Sequence, residues 1–167
     1  MRSKKPAEQQ GAREAVILFT VGGFKFAIAA NAVSEIRNVD GLQDLLPEEV
    51  ALTGGKVRMT VERNGTTYFA VEVARHFHLP ESRPARLLVL RHAPTALLVD
   101  STDRMTEIST LHALPQCFTG DERIWYRGLA VLSGDVVPVV NQGAFLRQAE
   151  IAQLEAAAQP LRGAVVV

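Results

Sequence analysis

Apolar and polar side chains alternate with a period of two through most of this chain. The stretch KVRMTVER has apolar residues on one face of a strand and charged or hydroxyl residues on the other. Asn64 and Gly65 follow it, and this dipeptide accepts the positive φ angles of a tight two-residue turn. The alternation then resumes in TTYFAVEV. We therefore predict a β-hairpin over residues 56–73.

Three further hairpins have the same pattern of strand, turn and strand. Their turns are Gly22-Gly23, His92-Ala93-Pro94 and Ser133-Gly134. A short strand, SEIRNV, follows the first of these hairpins. The chain is thus predicted to be all-β up to residue 141.

The strands recur at a constant offset of 69 residues, without a gap. Gly65 corresponds to Gly134 at this offset, and apolar residues correspond to apolar residues in several separate strands. The apolar pairs are Phe19 and Leu88, Ile28 and Leu97, Ile36 and Met105, Val71 and Val140, and Phe77 and Leu146. The sequence therefore predicts two copies of one five-stranded unit.

Each copy is small, and closing a short antiparallel sheet into a barrel removes its exposed edges. We predict two five-stranded β-barrels in tandem, over residues 15–80 and 81–141. Residues 1–14 are polar and are expected to form a disordered tail. Residues 142–161 are rich in Ala, Leu, Glu and Gln, which predicts a C-terminal helix that packs on a barrel and ends at Pro160.

The charge and cysteine content exclude several classes of protein. Eighteen Lys and Arg residues balance eighteen Asp and Glu residues, so there is no long-range field to attract a nucleic acid or an anionic membrane. Aromatic residues make up only 6% of the chain, which argues against an oligonucleotide-binding barrel. The single cysteine, Cys117, cannot form an internal disulfide and indicates a reducing compartment. No signal peptide or spanning segment is recognisable, so we expect a cytoplasmic protein without membrane insertion.

Sequence motifs of enzymes are absent, and no cofactor is expected. His76 and His78 have the spacing of a metal pair that Glu81 could complete, but two histidines in a partly exposed connection are the favoured interpretation. Cys117 and His112 lack a third orienting group for nucleophilic catalysis. The chain is therefore predicted not to be an enzyme. A metal-dependent enzyme or a small-ligand-binding β-barrel protein remains the alternative.

Three features favour binding to another protein. The segment Arg63-Asn64-Gly65 places a cation at a rigid turn, where it can meet a partner's carboxylate or simply be solvated. Pro138 favours an edge strand or a bulge that faces solvent. Trp125-Tyr126-Arg127 contains residue types that are enriched in interface hot spots, although Trp125 is equally compatible with a core.

The order of these segments resembles a known family. The opening strand with its GG turn, then Val-x-Glu-Ile, LLVD and LSGDVVPVVN are similar to the CheW-like chemotaxis adapters and to the regulatory domain of the histidine kinase CheA. The resemblance covers about residues 15–147 and is that of a divergent member. It implies two SH3-like five-stranded barrels that together form one CheW-like domain.

The resemblance also implies function and partners. Such a domain is a non-catalytic scaffold that couples chemoreceptors to a histidine kinase in a chemosensory array. The implied partners are a CheA-like kinase, the cytoplasmic tip helix of a chemoreceptor, and other CheW-like adapters, with recruitment to receptor arrays at the membrane. The family's N-L-R-G hairpin corresponds to Glu62-Arg63-Asn64-Gly65, with the arginine one place further from the glycine. Arg63, Asn64 and Gly65 are therefore candidate partner-binding residues.

A second candidate site is the seam between the two barrels. A concave apolar seam between two domains suits a partner helix, whose apolar positions recur at i, i+3 and i+4. Val33, Ile36 and Val39 follow the first hairpin and cannot all point into so small a barrel. We predict that some of them form the first barrel's wall of this groove, the alternative being a place in the barrel core.

Overall fold

The computed structural model describes residues 13–80 and 82–163, with side chains up to Ala158. Most of the predicted tail, and Glu81, which was considered as a possible third partner of His76 and His78, lie outside the described residues. The eleven strands of the described ranges are β1 (Glu14–Val21), β2 (Phe24–Ala29), β3 (Val33–Asn38), β4 (Leu42–Asp44), β5 (Val57–Arg63), β6 (Thr66–Glu72), β7 (Arg86–Leu90), β8 (Thr95–Val99), β9 (Ser101–Ile108), β10 (Tyr126–Leu132) and β11 (Asp135–Val140). The α-helices are α1 (Pro47–Ala51), α2 (Val73–His76), α3 (Glu122–Trp125) and α4 (Gln148–Gly163), and 3₁₀ turns lie at Ala30–Ala32 and Gln142–Ala144.

The strands form two sheets, and each sheet contains strands from both halves of the sequence. The five-stranded sheet has the order β10-β11-β2-β1-β9, and the six-stranded sheet has the order β3-β7-β8-β6-β5-β4. Parallel contacts join the halves: Val139 on β11 pairs with Ala27 on β2, and β6 pairs with β8 from Phe69 to Glu72. The expected division into residues 15–80 and 81–141 therefore does not describe the strand pairing.

The repeat explains this exchange. At the offset of 69 residues, the β1–β2 hairpin corresponds to the β7–β8 hairpin, β3 to β9, β5 to β10 and β6 to β11. Each barrel thus contains the opening hairpin of the other half. Because the two hairpins are equivalent, exchanging them preserves the apolar pattern of both sheets, and side-chain alternation alone cannot distinguish the two pairings.

The largest apolar core lies between the two sheets rather than inside either one. Phe19 and Leu88, the first pair related by the offset, are both fully buried there. Each sheet also curls around a smaller cluster of its own, centred on Val16 and Val139 in one barrel and on Val61 and Leu98 in the other. The seam that was expected to be an open cleft is therefore largely filled by side chains of the protein itself.

Two local predictions about proline are wrong. Pro138 lies neither on an edge strand, because β11 lies between β10 and β2, nor at a bulge, because the register shift of the β10–β11 pair falls between Tyr126 and Gly128. Its partner on β10, Leu129, directs both its N–H and its C=O to His112, each at 2.8 Å, so β10 requires no donor from Pro138. The C-terminal helix continues through Pro160 to Gly163, because the proline stands close to its end and removes at most one hydrogen bond there. This helix packs on the core through Leu154, which is fully buried, and through Ile151.

Candidate functional site

The first candidate surface is the β5–β6 hairpin, which forms as predicted. Asn64 and Gly65 have φ angles of 52° and 80°, as a tight turn between β5 and β6 requires. Arg63 does not point freely into solvent, since its guanidinium forms two hydrogen bonds with the Glu35 carboxylate on β3, of 3.3 Å from Nε and 2.5 Å from Nη2. The cation at the hairpin tip is therefore partly neutralised by the protein itself.

Glu35 is shared by a second arginine. Arg37 Nε lies 3.8 Å from Glu35 Oε1, and Arg37 Nη2 donates to Asp40 Oδ1 at 3.1 Å. Two arginines and two carboxylates thus form one chain of contacts along β3, and we refer to Glu35, Arg37, Asp40 and Arg63 as the β3 charge cluster. A partner carboxylate that binds Arg63 has to compete with Glu35.

The structure does not place the three groove candidates on one wall. Val33 is buried in the core between the sheets, and Val39 packs against the interior cluster of the six-stranded barrel. Ile36 is 40% exposed, because the side chains of β3 alternate between the protein and solvent. Val33 is therefore a core residue, Val39 is half-buried beside the barrel interior, and Ile36 is the exposed one of the three.

An exposed apolar row that sequence reasoning missed lies on the five-stranded barrel. Val131 on β10 pairs directly with Val136 on β11. On the other side of β11, Val139 pairs with Ala27 of the parallel strand β2. Three residues earlier on both parallel strands, Val136 therefore lies beside Phe24. Phe24, Val131 and Val136 are 52%, 56% and 62% exposed, on the face opposite to the barrel interior. We call these three residues the apolar row. Apolar residues on both faces of β10 and β11 were the sequence signal for it.

The apolar row has no counterpart on the other barrel. At the offset of 69 residues, the corresponding positions are Ala93, Glu62 and Thr67. The two barrels have similar folds, but the surface at these positions is apolar on one barrel and more polar on the other. Contiguous exposed apolar patches are common at sites that contact another protein.

The two histidines occupy different environments. His76 is buried at the end of α2, where its ring lies 5.5 Å from Trp125 and 4.9 Å from Phe145 between ring centres. Burial, and secondarily the positive charges of Lys56, His78 and Arg147, lower the pKa of His76 to about 3. The expectation that both histidines are partly exposed is therefore wrong for His76. The described part of the chain contains no cluster of three or more His, Cys, Asp or Glu residues suited to a metal ion.

The remaining residues that the sequence singled out are structural or isolated. Tyr126 packs against the aromatic rings of the core, and burial raises its pKa to about 12. Arg127 forms two hydrogen bonds with Glu14, at 2.7 and 2.9 Å, and these lower the pKa of Glu14. Cys117 is exposed, while His112 is held through its backbone by β10.

Comparisons with known proteins identify the family. The model of the CheW-like domain matches residues 15–150. The chain belongs to the CheW-like domain family. The crystal structure of the scaffolding protein TtCheW from Thermoanaerobacter tengcongensis matches with a TM-score of 0.66 and 14% sequence identity, over 78% of this chain and 90% of that one. No curated protein sequence matches the chain.

The CheW-like membership confirms the resemblance and the fold class. Two SH3-like barrels with a C-terminal helix are the architecture that the sequence predicted, and the low identity fits a divergent member. Membership supports a role as a scaffold or adapter in chemotaxis signalling. In the ranges 13–80 and 82–163, no helix combines the length and apolar character needed to span a membrane.

Proposed function

We propose that this CheW-like protein is a non-catalytic adapter that couples the cytoplasmic tips of chemoreceptors to a CheA-like histidine kinase. The observation that carries the proposal is a CheW-like domain that leaves an apolar row exposed on only one of its two barrels. The kinase binds through its own CheW-like regulatory domain, other CheW-like adapters are further partners, and the protein works in the cytoplasm at receptor arrays. Weak individual contacts are sufficient in an array, because many of them act together.

The kinase contact is proposed for the apolar row. Val131→Lys places a charge at the β10 end of the row and should weaken capture of the kinase regulatory domain at least tenfold, about 1.4 kcal/mol or more. Met105→Lys is the matched control, because Met105 is an exposed apolar residue on β9 of the same barrel and lies outside the row. Both positions are exposed, so the thermal midpoint should change little. Equal capture by the two variants, measured by surface plasmon resonance, would exclude the row.

The hairpin tip, Arg63 to Gly65, is proposed as a second contact. Arg63→Ala removes the cation, whereas Glu35→Ala removes only the carboxylate that holds it. If Arg63 contacts the partner, Arg63→Ala should weaken kinase or receptor capture, and Glu35→Ala should leave it unchanged or strengthen it, because the arginine is released. Equal losses in both variants would show that the β3 charge cluster acts only by holding β3 and β5 together.

Receptor binding is proposed for the surface around Ile36. A receptor-tip peptide should bind with a micromolar dissociation constant, about −8 kcal/mol, and with a negative heat-capacity change. Ile36→Asp should abolish this binding, while Met105→Asp, at the corresponding exposed position on β9, should not. An NMR titration in which β3 is unaffected by the peptide would contradict this site and leave the kinase contact standing.

A further inference from the structure

A depression lies where the two barrels meet, and its lining includes none of the residues of the three proposed contact surfaces. It has a volume of about 470 Å³ and is lined by the turn before β5, by α2, by the end of α3 and by the start of α4. We define the Trp125 pocket by Lys56, Arg75, His76, Trp125 and Arg147. Its volume lies within the range of small-ligand sites and exceeds what a bare inorganic ion needs.

The lining of the Trp125 pocket carries an excess of positive charge. Three permanent cations, Lys56, Arg75 and Arg147, face two carboxylates, Asp121 and Glu150. Lys56 forms an ion pair with Glu150 at 3.3 Å, and Arg75 forms one with Glu72, outside the pocket, at 2.9 Å. Within the described ranges, no carboxylate lies within 4.0 Å of the Arg147 guanidinium, although this side chain lines the pocket.

His76 supplies a second, independent observation. Its side chain lines the pocket, the residue is 8% exposed, and its Nε2 atom is buried without a hydrogen-bond partner among the described residues. A buried polar atom without a partner is uncommon in native proteins and calls for a water molecule, an ion or a ligand. Lys56, His78 and Arg147 all contribute positive potential at this imidazole. An anion in the pocket would therefore meet a favourable field and an unpartnered imidazole nitrogen, which is a donor in the tautomer with hydrogen on Nε2.

We propose that the Trp125 pocket binds a small organic anion with a planar body. The phosphate or carboxylate group of the ligand bonds to the guanidinium of Arg147, whose planar fork of donors fits either group. The planar body lies against the indole of Trp125 and the side chain of Ile124, both of which line the pocket. In the tautomer with hydrogen on Nε2, His76 donates to the bound anion.

This site would couple the two barrels. Lys56 immediately precedes β5 in the six-stranded sheet, and Trp125 immediately precedes β10 in the five-stranded sheet. A ligand that contacts both residues stabilises one relative position of the sheets. The proposal does not depend on the adapter function, and its test uses neither a kinase nor a receptor.

The single tryptophan of the chain makes the pocket directly observable. Phenyl phosphate, benzoate, inorganic phosphate and benzyl alcohol are titrated at constant ionic strength while the intrinsic fluorescence is recorded. A saturable change with phenyl phosphate or benzoate is expected, and the tighter of the two identifies the preferred anionic group. Inorganic phosphate should bind more weakly, and neutral benzyl alcohol should give no saturable change.

Arg147→Gln tests the location of the site. Arg147 is exposed, so the variant should keep the wild-type thermal midpoint while binding the preferred anion at least about fivefold more weakly. Arg104→Gln, which removes an exposed cation on β9, should bind as the wild type does. Unchanged binding by Arg147→Gln would overturn the proposal. The proposal would also be overturned if neither phenyl phosphate nor benzoate changed the fluorescence. This holds even if calorimetry detects binding, because such binding would lie away from Trp125.

Discussion

Acid should destabilise this protein through His76 before most carboxylates titrate. The pKa of the buried imidazole is lowered from 6.5 to about 3, mainly by burial and secondarily by Lys56, His78 and Arg147. In the unfolded chain the same group titrates near its ordinary value of 6.5. Between these two values the unfolded state binds a proton that the folded state does not bind.

Proton linkage gives the direction and size of the effect of pH on the free energy of unfolding. Above pH 6.5 His76 is neutral in both states and its titration does not affect stability. Below pH 6.5 the unfolding free energy falls by about 1.4 kcal/mol for each pH unit, until the folded protein is also protonated. Lowering the pH from 6.5 to 5 should therefore cost about 2 kcal/mol through this residue alone. That is a large part of the stability of a domain of this size.

Denaturant unfolding of wild type and His76→Phe at a series of pH values measures this effect. Phenylalanine is apolar, is close in size and suits the aromatic surroundings of the ring, so the variant should lose about 2 kcal/mol less than the wild type between pH 6.5 and pH 5. Groups common to both proteins cancel in this difference. Parallel profiles for wild type and His76→Phe would refute the reasoning, because they would mean that His76 is protonated without cost in the folded state.

Three other changes test the described fold. Glu14→Gln weakens the contact with Arg127 and should cost at most about 1 kcal/mol at pH 7, and the difference from wild type should disappear as the pH falls well below 4.5, measured by thermal melting. Gly128→Ala should cost about 1 to 3 kcal/mol in denaturant unfolding, because its Cβ would lie 2.5 Å from the backbone oxygen of His112. Gly143→Ala should be nearly neutral, because the nearest atom to its Cβ would be the side-chain Oδ1 of Asn141, at 3.6 Å. A fragment of residues 15–80 should lack a cooperative unfolding transition by circular dichroism, because its opening hairpin pairs with strands of the other half; a sharp transition would favour independent halves.

Much of the fold could be predicted from the sequence because its signals are local. Side-chain alternation located the strands, and dipeptides such as Asn64-Gly65 located the turns, since their positive φ angles are properties of two residues. The offset of 69 residues gave the number of barrels. Each of these features is encoded within a few residues or by direct comparison of the two halves.

The pairing of the hairpins and the positions of the candidate surfaces were harder to predict from the sequence. The β1–β2 and β7–β8 hairpins carry the same pattern, so nothing local records which barrel each one joins. Val33 and Ile36 are similar residues on one short strand, yet one is in the core and the other faces solvent, because the position of the second sheet decides their exposure. The burial of His76 could not be predicted from the sequence, because α2, α3 and the start of α4 surround it only in the folded protein.

The exchange of hairpins bears on how the two barrels differ in function. Since each barrel is built from both halves of the chain, a change in one half reaches both barrels, and the core between them cannot open without exposing Phe19 and Leu88. Burial of such side chains is worth about 1.5 to 3 kcal/mol each, so separation of the barrels is disfavoured. The barrels therefore stay packed against each other, and their corresponding ends differ where the repeat has diverged. The apolar row is such a place, because Val131 on one barrel corresponds to Glu62 on the other. A partner that recognises this difference binds one end of the protein and leaves the other end available for a second partner, which is the geometry that an adapter requires.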